Sequence, residues 1–155
     1  MEKIIKDFKS LCNFLAFLGL LQIMNLLSTI DTVKQMDISV LGNVDFAAMG
    51  LATSTALLIV QVMCVVPVVL GIVALLYLCV KGHQEANDPS PAKFHMILAV
   101  ICAVCYAFST LEVVTGLFTN SSDLLMKLLE ALIAAGTAVL LFAYFNYARK
   151  IRTKE

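Results

Sequence analysis

Apolar residues fill four long stretches of this chain, and polar residues concentrate in the short segments between them. The stretches cover about residues 10–30, 49–80, 94–118 and 124–148. An α-helix rises about 1.5 Å per residue, so roughly 20 apolar residues cross a hydrocarbon core about 30 Å thick. The pattern therefore predicts an all-α fold. We expect an integral membrane four-helix bundle with antiparallel, up-and-down spans in a single domain covering residues 1–155.

The composition supports this interpretation and excludes several classes of function. Hydrophobic residues make up 61% of the chain and charged residues 14%, and the mean hydropathy is +0.93. A soluble globular domain has a very different balance. The short connections leave no room for a separate catalytic domain, and the formal net charge is zero. We expect the lipid bilayer as the surroundings, with neither a nucleic-acid partner nor a cofactor.

The basic residues are distributed unevenly around the spans. Nine of them lie in the two terminal segments and the middle loop, whereas the first and third loops hold only Lys34 and Lys127. The positive-inside rule therefore places both termini and the middle loop in the cytoplasm. We interpret the first stretch as an uncleaved span. The expected location is the plasma membrane or the bacterial cytoplasmic membrane.

The second stretch is longer than a straight span needs, and it contains Pro67. Proline removes a backbone donor and clashes with the preceding turn, so we predict a kink there. After it, Gly82 is suited to end the second helix, and Ser90 followed by Pro91 is suited to begin the third.

Histidine and cysteine give weak signals for chemistry. His83 and His95 flank the middle loop without neighbouring ligand residues, and we interpret both as solvated loop residues. Cys102 and Cys105 form a C-x-x-C, which resembles the membrane helix motif of the four-helix quinone reductases of the vitamin K epoxide reductase type. That resemblance implies membrane thiol redox chemistry. The second cysteine pair of that family is absent here, and we interpret the cysteines as small apolar residues.

Small residues at four-residue spacing mark a packing face on the last two spans. Such residues let membrane helices approach closely. We predict that the third and fourth helices form an antiparallel hairpin through Ala99, Ala103, Ala107, Ala134 and Ala138.

A carboxylate within the third span is the most informative polar feature. Ionisable groups at membrane depth are costly and usually face a bundle interior or water. Glu112 lies roughly 25 Å from the cytoplasmic boundary by helix rise, and polar residues of all four spans fall near that depth. The predicted polar site comprises Glu112, Gln61, Asn25, Ser28, Ser109 and Glu130. The alternative is that Glu112 reaches the outer interface while the other side chains only join neighbouring helices or, for Glu130, pair with Lys127.

Two functions are compatible with these features, and we predict no enzyme activity because no catalytic constellation is present. The preferred hypothesis is a small membrane protein that acts through helix contacts, as a homo-oligomer or as an accessory subunit of a membrane complex. The alternative is a small proton- or cation-coupled transporter or channel that uses the layer around Glu112.

Overall fold

The computed structural model describes residues 2–37, 52–88, 93–119 and 124–153, without the side chains of 116–119 and 124–126. It contains four helices, α1 (Glu2–Gln35), α2 (Thr53–Asn87), α3 (Phe94–Thr119) and α4 (Leu124–Arg152), and the described residues form no strand. All four helices are long and apolar enough to cross a membrane. The expected all-α fold with four membrane-spanning helices is confirmed.

The chain divides into two compact units. Unit 1 comprises Met1–Leu18 and Ala74–Glu155, and unit 2 comprises Gly19–Val73. Unit 1 therefore takes the first part of α1, the last part of α2 and all of α3 and α4. Unit 2 takes the remaining parts of α1 and α2.

The hydrophobic core of unit 1 draws on all four helices. On α4 its buried positions follow one another at intervals of three or four residues, which places them on one face of the helix. The side chains that define this core are Phe8, Cys12, Leu15, Leu18, Leu75, Leu78, Ala86, Met96, Ala99, Ala103, Leu141, Tyr144, Ala148 and Ile151.

Gly82 lies inside α2 and does not end it, so the sequence prediction of a helix end there is wrong. The helix continues to Asn87. A Cβ atom on Gly82 would lie 2.8 Å from Cε2 of Tyr144 and even closer to Sγ of Cys12. The glycine therefore leaves room for the side chains of Cys12 on α1 and Tyr144 on α4, which occupy the space that a Cβ atom would take.

Pro67 also lies within the continuous helix α2, in unit 2. The kink expected there stays a prediction. In the same unit, the amide nitrogen Nε2 of Gln61 donates a hydrogen bond of 3.2 Å to the backbone carbonyl of Val33. That bond joins the α1 and α2 parts of unit 2.

The helices α3 and α4 pack against each other as a hairpin. Ala99, Ala103 and Ala134 are buried, Ala138 is half-buried, and Ala107 is exposed. Four of the five small residues expected in the hairpin are thus at least partly covered. Ala107 remains on the surface of the hairpin.

The surface of the described helices is strongly apolar. Leu132 is 75% exposed, and Met63 and Val139 are each 68% exposed. In water such a surface would drive aggregation, whereas lipid chains solvate it without cost. The protein is therefore a multi-pass membrane protein.

Candidate functional site

The most polar part of the core lies in unit 1, where the ends of α2 and α4 meet the start of α3. Its centre is Glu85 on α2, which is 1% exposed. Arg152, on the last turn of α4, donates a hydrogen bond from Nε to Oε1 of this carboxylate. A buried carboxylate is strongly disfavoured without a charged partner, and Arg152 supplies one.

His95, on the first turn of α3, approaches the other oxygen of the same carboxylate. Its Nε2 lies 3.8 Å from Oε2 of Glu85, which is too far for a hydrogen bond. The side chain is buried, and Nε2 has no hydrogen-bond partner within the described part of the chain. The imidazole therefore retains an unused donor or acceptor beside the ion pair.

Tyr144 of α4 packs beneath these groups. Its ring is fully buried, with its centroid 5.0 Å from that of Phe8 and 6.1 Å from that of His95. The hydroxyl group finds no hydrogen-bond partner among the residues that the structure describes. The ring lies against Gly82, where a Cβ atom would come within 2.8 Å of its Cε2.

Polar contacts surround the cluster and connect the helices of unit 1. Nζ of Lys9 donates to Oδ1 of Asn87 at 2.6 Å, and this bond ties α1 to the end of α2. Nε2 of His83 lies 2.9 Å from Oδ1 of Asn13, which joins the same two helices one turn earlier. These contacts hold the polar end of α2 against α1.

A pocket of about 470 Å³ opens beside the ion pair. Glu85 and His95 contribute to its wall. The other lining residues come from α2, its C-terminal end and the start of α3: Tyr77, Lys81, Gln84, Asn87, Asp88 and Phe94. Its volume suits a small polar molecule or a headgroup.

The residues of the predicted polar layer are divided between the two units. In unit 2, Asn25 and Ser28 are exposed, and Gln61 is half-buried with its bond to Val33. In unit 1, Ser109, Glu112 and Glu130 are all exposed. The structure describes each unit by itself, so a shared layer at one depth stays a prediction.

The sequence interpretation missed the buried cluster. His95 is 3% exposed, so its interpretation as a solvated loop residue is wrong. His83 is half-buried and contacts Asn13. The sequence of α2 contains an indication that Glu85 is buried. Leu78, Gly82 and Glu85 are four and three residues apart, so they lie on one face of the helix.

The cysteines and other metal-ligating residues offer no second centre. All five cysteines are free thiols, with Cys102 half-buried and Cys105 exposed on α3. Within the described residues, no group of three histidine, cysteine or acidic side chains could hold a metal ion. Among the described residues, the Glu85 cluster and its pocket are the buried polar site that draws on α2, α3 and α4.

Comparison with known proteins adds no relative from which a role could be transferred. The chain matches no protein-family model, no curated protein and no solved structure.

Proposed function

We propose that this multi-pass membrane protein acts through helix contacts in the bilayer, as a homo-oligomer or as an accessory subunit of a membrane complex. The observation that carries the proposal is a shallow apolar groove on the outside of the α3–α4 hairpin. The groove encloses about 370 Å³ and is lined by Val100, Ala103, Val104, Ala107, Ala138, Val139 and Phe142.

The shape of this groove favours a transmembrane helix as its occupant. Three alanines line it together with three valines and Phe142. Apolar side chains gain nothing from leaving lipid for protein, so membrane helices associate where small residues permit close van der Waals packing. The exposed Ala107 offers such a position next to larger neighbours.

The test measures assembly of the full chain in mild detergent and in nanodiscs by native mass spectrometry. Ala107→Leu would fill the groove, and we expect it to lower the population of the complex at least about fivefold. Gly136→Leu is the matched control, because Gly136 is exposed on α4 and a Cβ there meets no atom within 4 Å. Assembly of this control should equal that of the wild type.

The partner is identified in the same experiment. A complex of the purified chain alone shows a homo-oligomer, whereas a second membrane protein retained through purification shows an accessory subunit. A strict monomer without a co-purifying protein in membranes and detergent would refute the proposal. Equal loss of assembly in Ala107→Leu and Gly136→Leu would show that the groove is not the contact surface.

A further inference from the structure

One end of unit 1 brings together the start of α1, the end of α2, the start of α3 and the end of α4. The ring of Phe8 on α1 lies 6.4 Å from that of Tyr147 on α4. Lys9 on α1 donates its hydrogen bond to Asn87 at the end of α2, and the start of α3 lies beside Glu85. The charged residues of these four helix ends form what we call the basic end.

Positive charge dominates the basic end. The structure describes eight cations and four anions there, and Arg152 is paired with the buried Glu85. The exposed anions among them are Glu2 and Asp88. The exposed cations are Lys3, Lys6, Lys93, Arg149 and Lys150.

The far parts of α3 and α4 do not share this charge. Their described charged residues are Glu112, Lys127 and Glu130, with two carboxylates against one ammonium group. An electrostatic attraction between exposed charges fades within about 10 Å at ordinary ionic strength. A negatively charged surface is therefore attracted to the described part of unit 1 at the basic end alone.

The exposed cations follow directly after the apolar surface of the same helices. Phe14 on α1 is 52% exposed and Phe142 on α4 is 57% exposed, and each lies eight residues from an exposed lysine, Lys6 and Lys150 respectively. Eight residues of helix rise about 12 Å. Long basic side chains next to an apolar span reach the level of the lipid headgroups.

A tyrosine supports this depth on α4. Nζ of Lys150 lies 5.8 Å from the centre of the Tyr147 ring, over its face. Tyrosine is enriched where a membrane meets water, because its ring is apolar and its hydroxyl group is polar. The ammonium group of Lys150 is thus held beside a residue typical of the headgroup region.

We propose that the basic end binds anionic phospholipids of the adjoining leaflet through the exposed side chains of Lys3, Lys6, Arg149 and Lys150. Clusters of four or more basic residues next to a membrane span attract anionic headgroups. A bilayer lipid fits this surface better than a soluble acidic protein, because the same helices continue into exposed apolar faces that lipid chains cover. The binding does not depend on the α3–α4 groove, so a monomeric protein would retain it.

The test uses the full chain in nanodiscs that contain equal amounts of phosphatidylglycerol and phosphatidylcholine. After gentle detergent extraction, native mass spectrometry counts the lipids of each kind that remain bound. We expect phosphatidylglycerol to exceed phosphatidylcholine at least about threefold at low salt. Raising the salt concentration to about 0.5 M should reduce this preference, since salt screens exposed charges.

Substitution of the four cations should remove the preference. The combined variant Lys3→Gln, Lys6→Gln, Arg149→Gln and Lys150→Gln should retain the two lipids equally. All four side chains are exposed, so the fold should persist, and thermal unfolding in detergent verifies it. A charge-conserving variant with Lys3→Arg, Lys6→Arg, Arg149→Lys and Lys150→Arg should behave as the wild type.

A single pair of substitutions on α1 provides a matched comparison. Lys6→Gln should lower the preference for phosphatidylglycerol, whereas Lys34→Gln, an exposed lysine at the other end of the helix, should lower it less.

Three results would overturn the proposal. The first is equal retention of the two lipids by the wild type at low salt. The second is an unchanged preference in the folded four-glutamine variant. The third is equal loss in the charge-conserving variant, which would show that the positive charge is not the cause. An acidic protein that co-purifies with the wild type, in the absence of any lipid preference, would assign the surface to a protein instead.

Discussion

Arg152 donates a hydrogen bond from Nε to Oε1 of Glu85, and so it joins the last turn of α4 to a fully buried carboxylate on α2. The two residues are far apart in sequence, and the pair closes one end of unit 1. Arg152 keeps 15% of its side chain exposed, whereas that of Glu85 keeps 1%. Within this ion pair, the buried charge of Glu85 is thus the one that depends on its partner for stabilisation.

Breaking the pair from the arginine side should destabilise the protein. Arg152→Gln leaves the Glu85 charge buried, and we expect a loss of about 3 kcal/mol in the free energy of unfolding. The measurement is reversible unfolding by sodium dodecyl sulfate in mixed micelles. Lys150→Gln, at an exposed position of the same turn, should change stability by less than about 0.5 kcal/mol. Equal effects of the two substitutions would show that the ion pair does not contribute to stability.

Two glycines allow a matched test of helix packing. Gly82→Ala should lower stability by about 1–3 kcal/mol, because the new methyl group meets Cys12 and Tyr144. Gly136→Ala should be neutral or stabilising by up to about 1 kcal/mol, since its surroundings are open and alanine favours the helix.

A second substitution distinguishes the steric contribution to the Gly82→Ala stability change from the contribution of helix propensity. Cys12→Ala removes the sulfur atom nearest to the new methyl group, so Gly82→Ala combined with Cys12→Ala should recover part of the lost stability. The comparison is a double-mutant cycle in the unfolding assay. A purely additive double variant would contradict the packing explanation.

The hydroxyl group of Tyr144 should contribute nothing to stability. It is buried and lacks a hydrogen-bond partner in the described part of the chain, and an unsatisfied buried polar group is costly. Tyr144→Phe is therefore expected to leave the unfolding free energy unchanged or to raise it by about 1 kcal/mol. A loss of more than about 1 kcal/mol would show that the hydroxyl has a partner in the folded protein. Tyr147→Phe, on a half-buried ring of the same helix, is the control.

Glu112 distinguishes the transporter alternative from the proposed function. Its side chain is exposed on α3, so Glu112→Gln should alter stability by less than about 0.5 kcal/mol. Under the proposed function, proteoliposomes containing the wild type or this variant show the same proton and cation flux as empty vesicles. Flux by the wild type that the variant lacks would establish the alternative.

The orientation of the spans is open to a direct measurement. The distribution of lysine and arginine predicts that both termini and the middle loop face the cytoplasm. Each terminus is fused in turn to a reporter that is active only in the cytoplasm and to a reporter that is active only outside. At both termini, the cytoplasmic reporter should be active and the outside reporter inactive. A terminus that reports from the outside would contradict the orientation.

The sequence alone determined the class of protein, because a membrane imposes strong conditions on length and hydrophobicity. Apolar stretches near twenty residues or longer must be helices in lipid, and each of the four helices overlaps one of the four stretches. The small residues Ala99, Ala103 and Ala134 also indicated the α3–α4 contact, since small side chains favour close packing of membrane helices.

Only the tertiary structure decided which polar residues are buried. Glu85, His95 and Arg152 lie in or beside segments that looked like solvated loop and tail, and their meeting depends on how far α2 extends beyond Gly82. Gly82 leaves room there for the side chains of Cys12 and Tyr144, and Glu85, which follows one turn later, is buried. A local pattern of glycine and polar residues contains no information about such neighbours, so it suggested a helix end where the structure has a core.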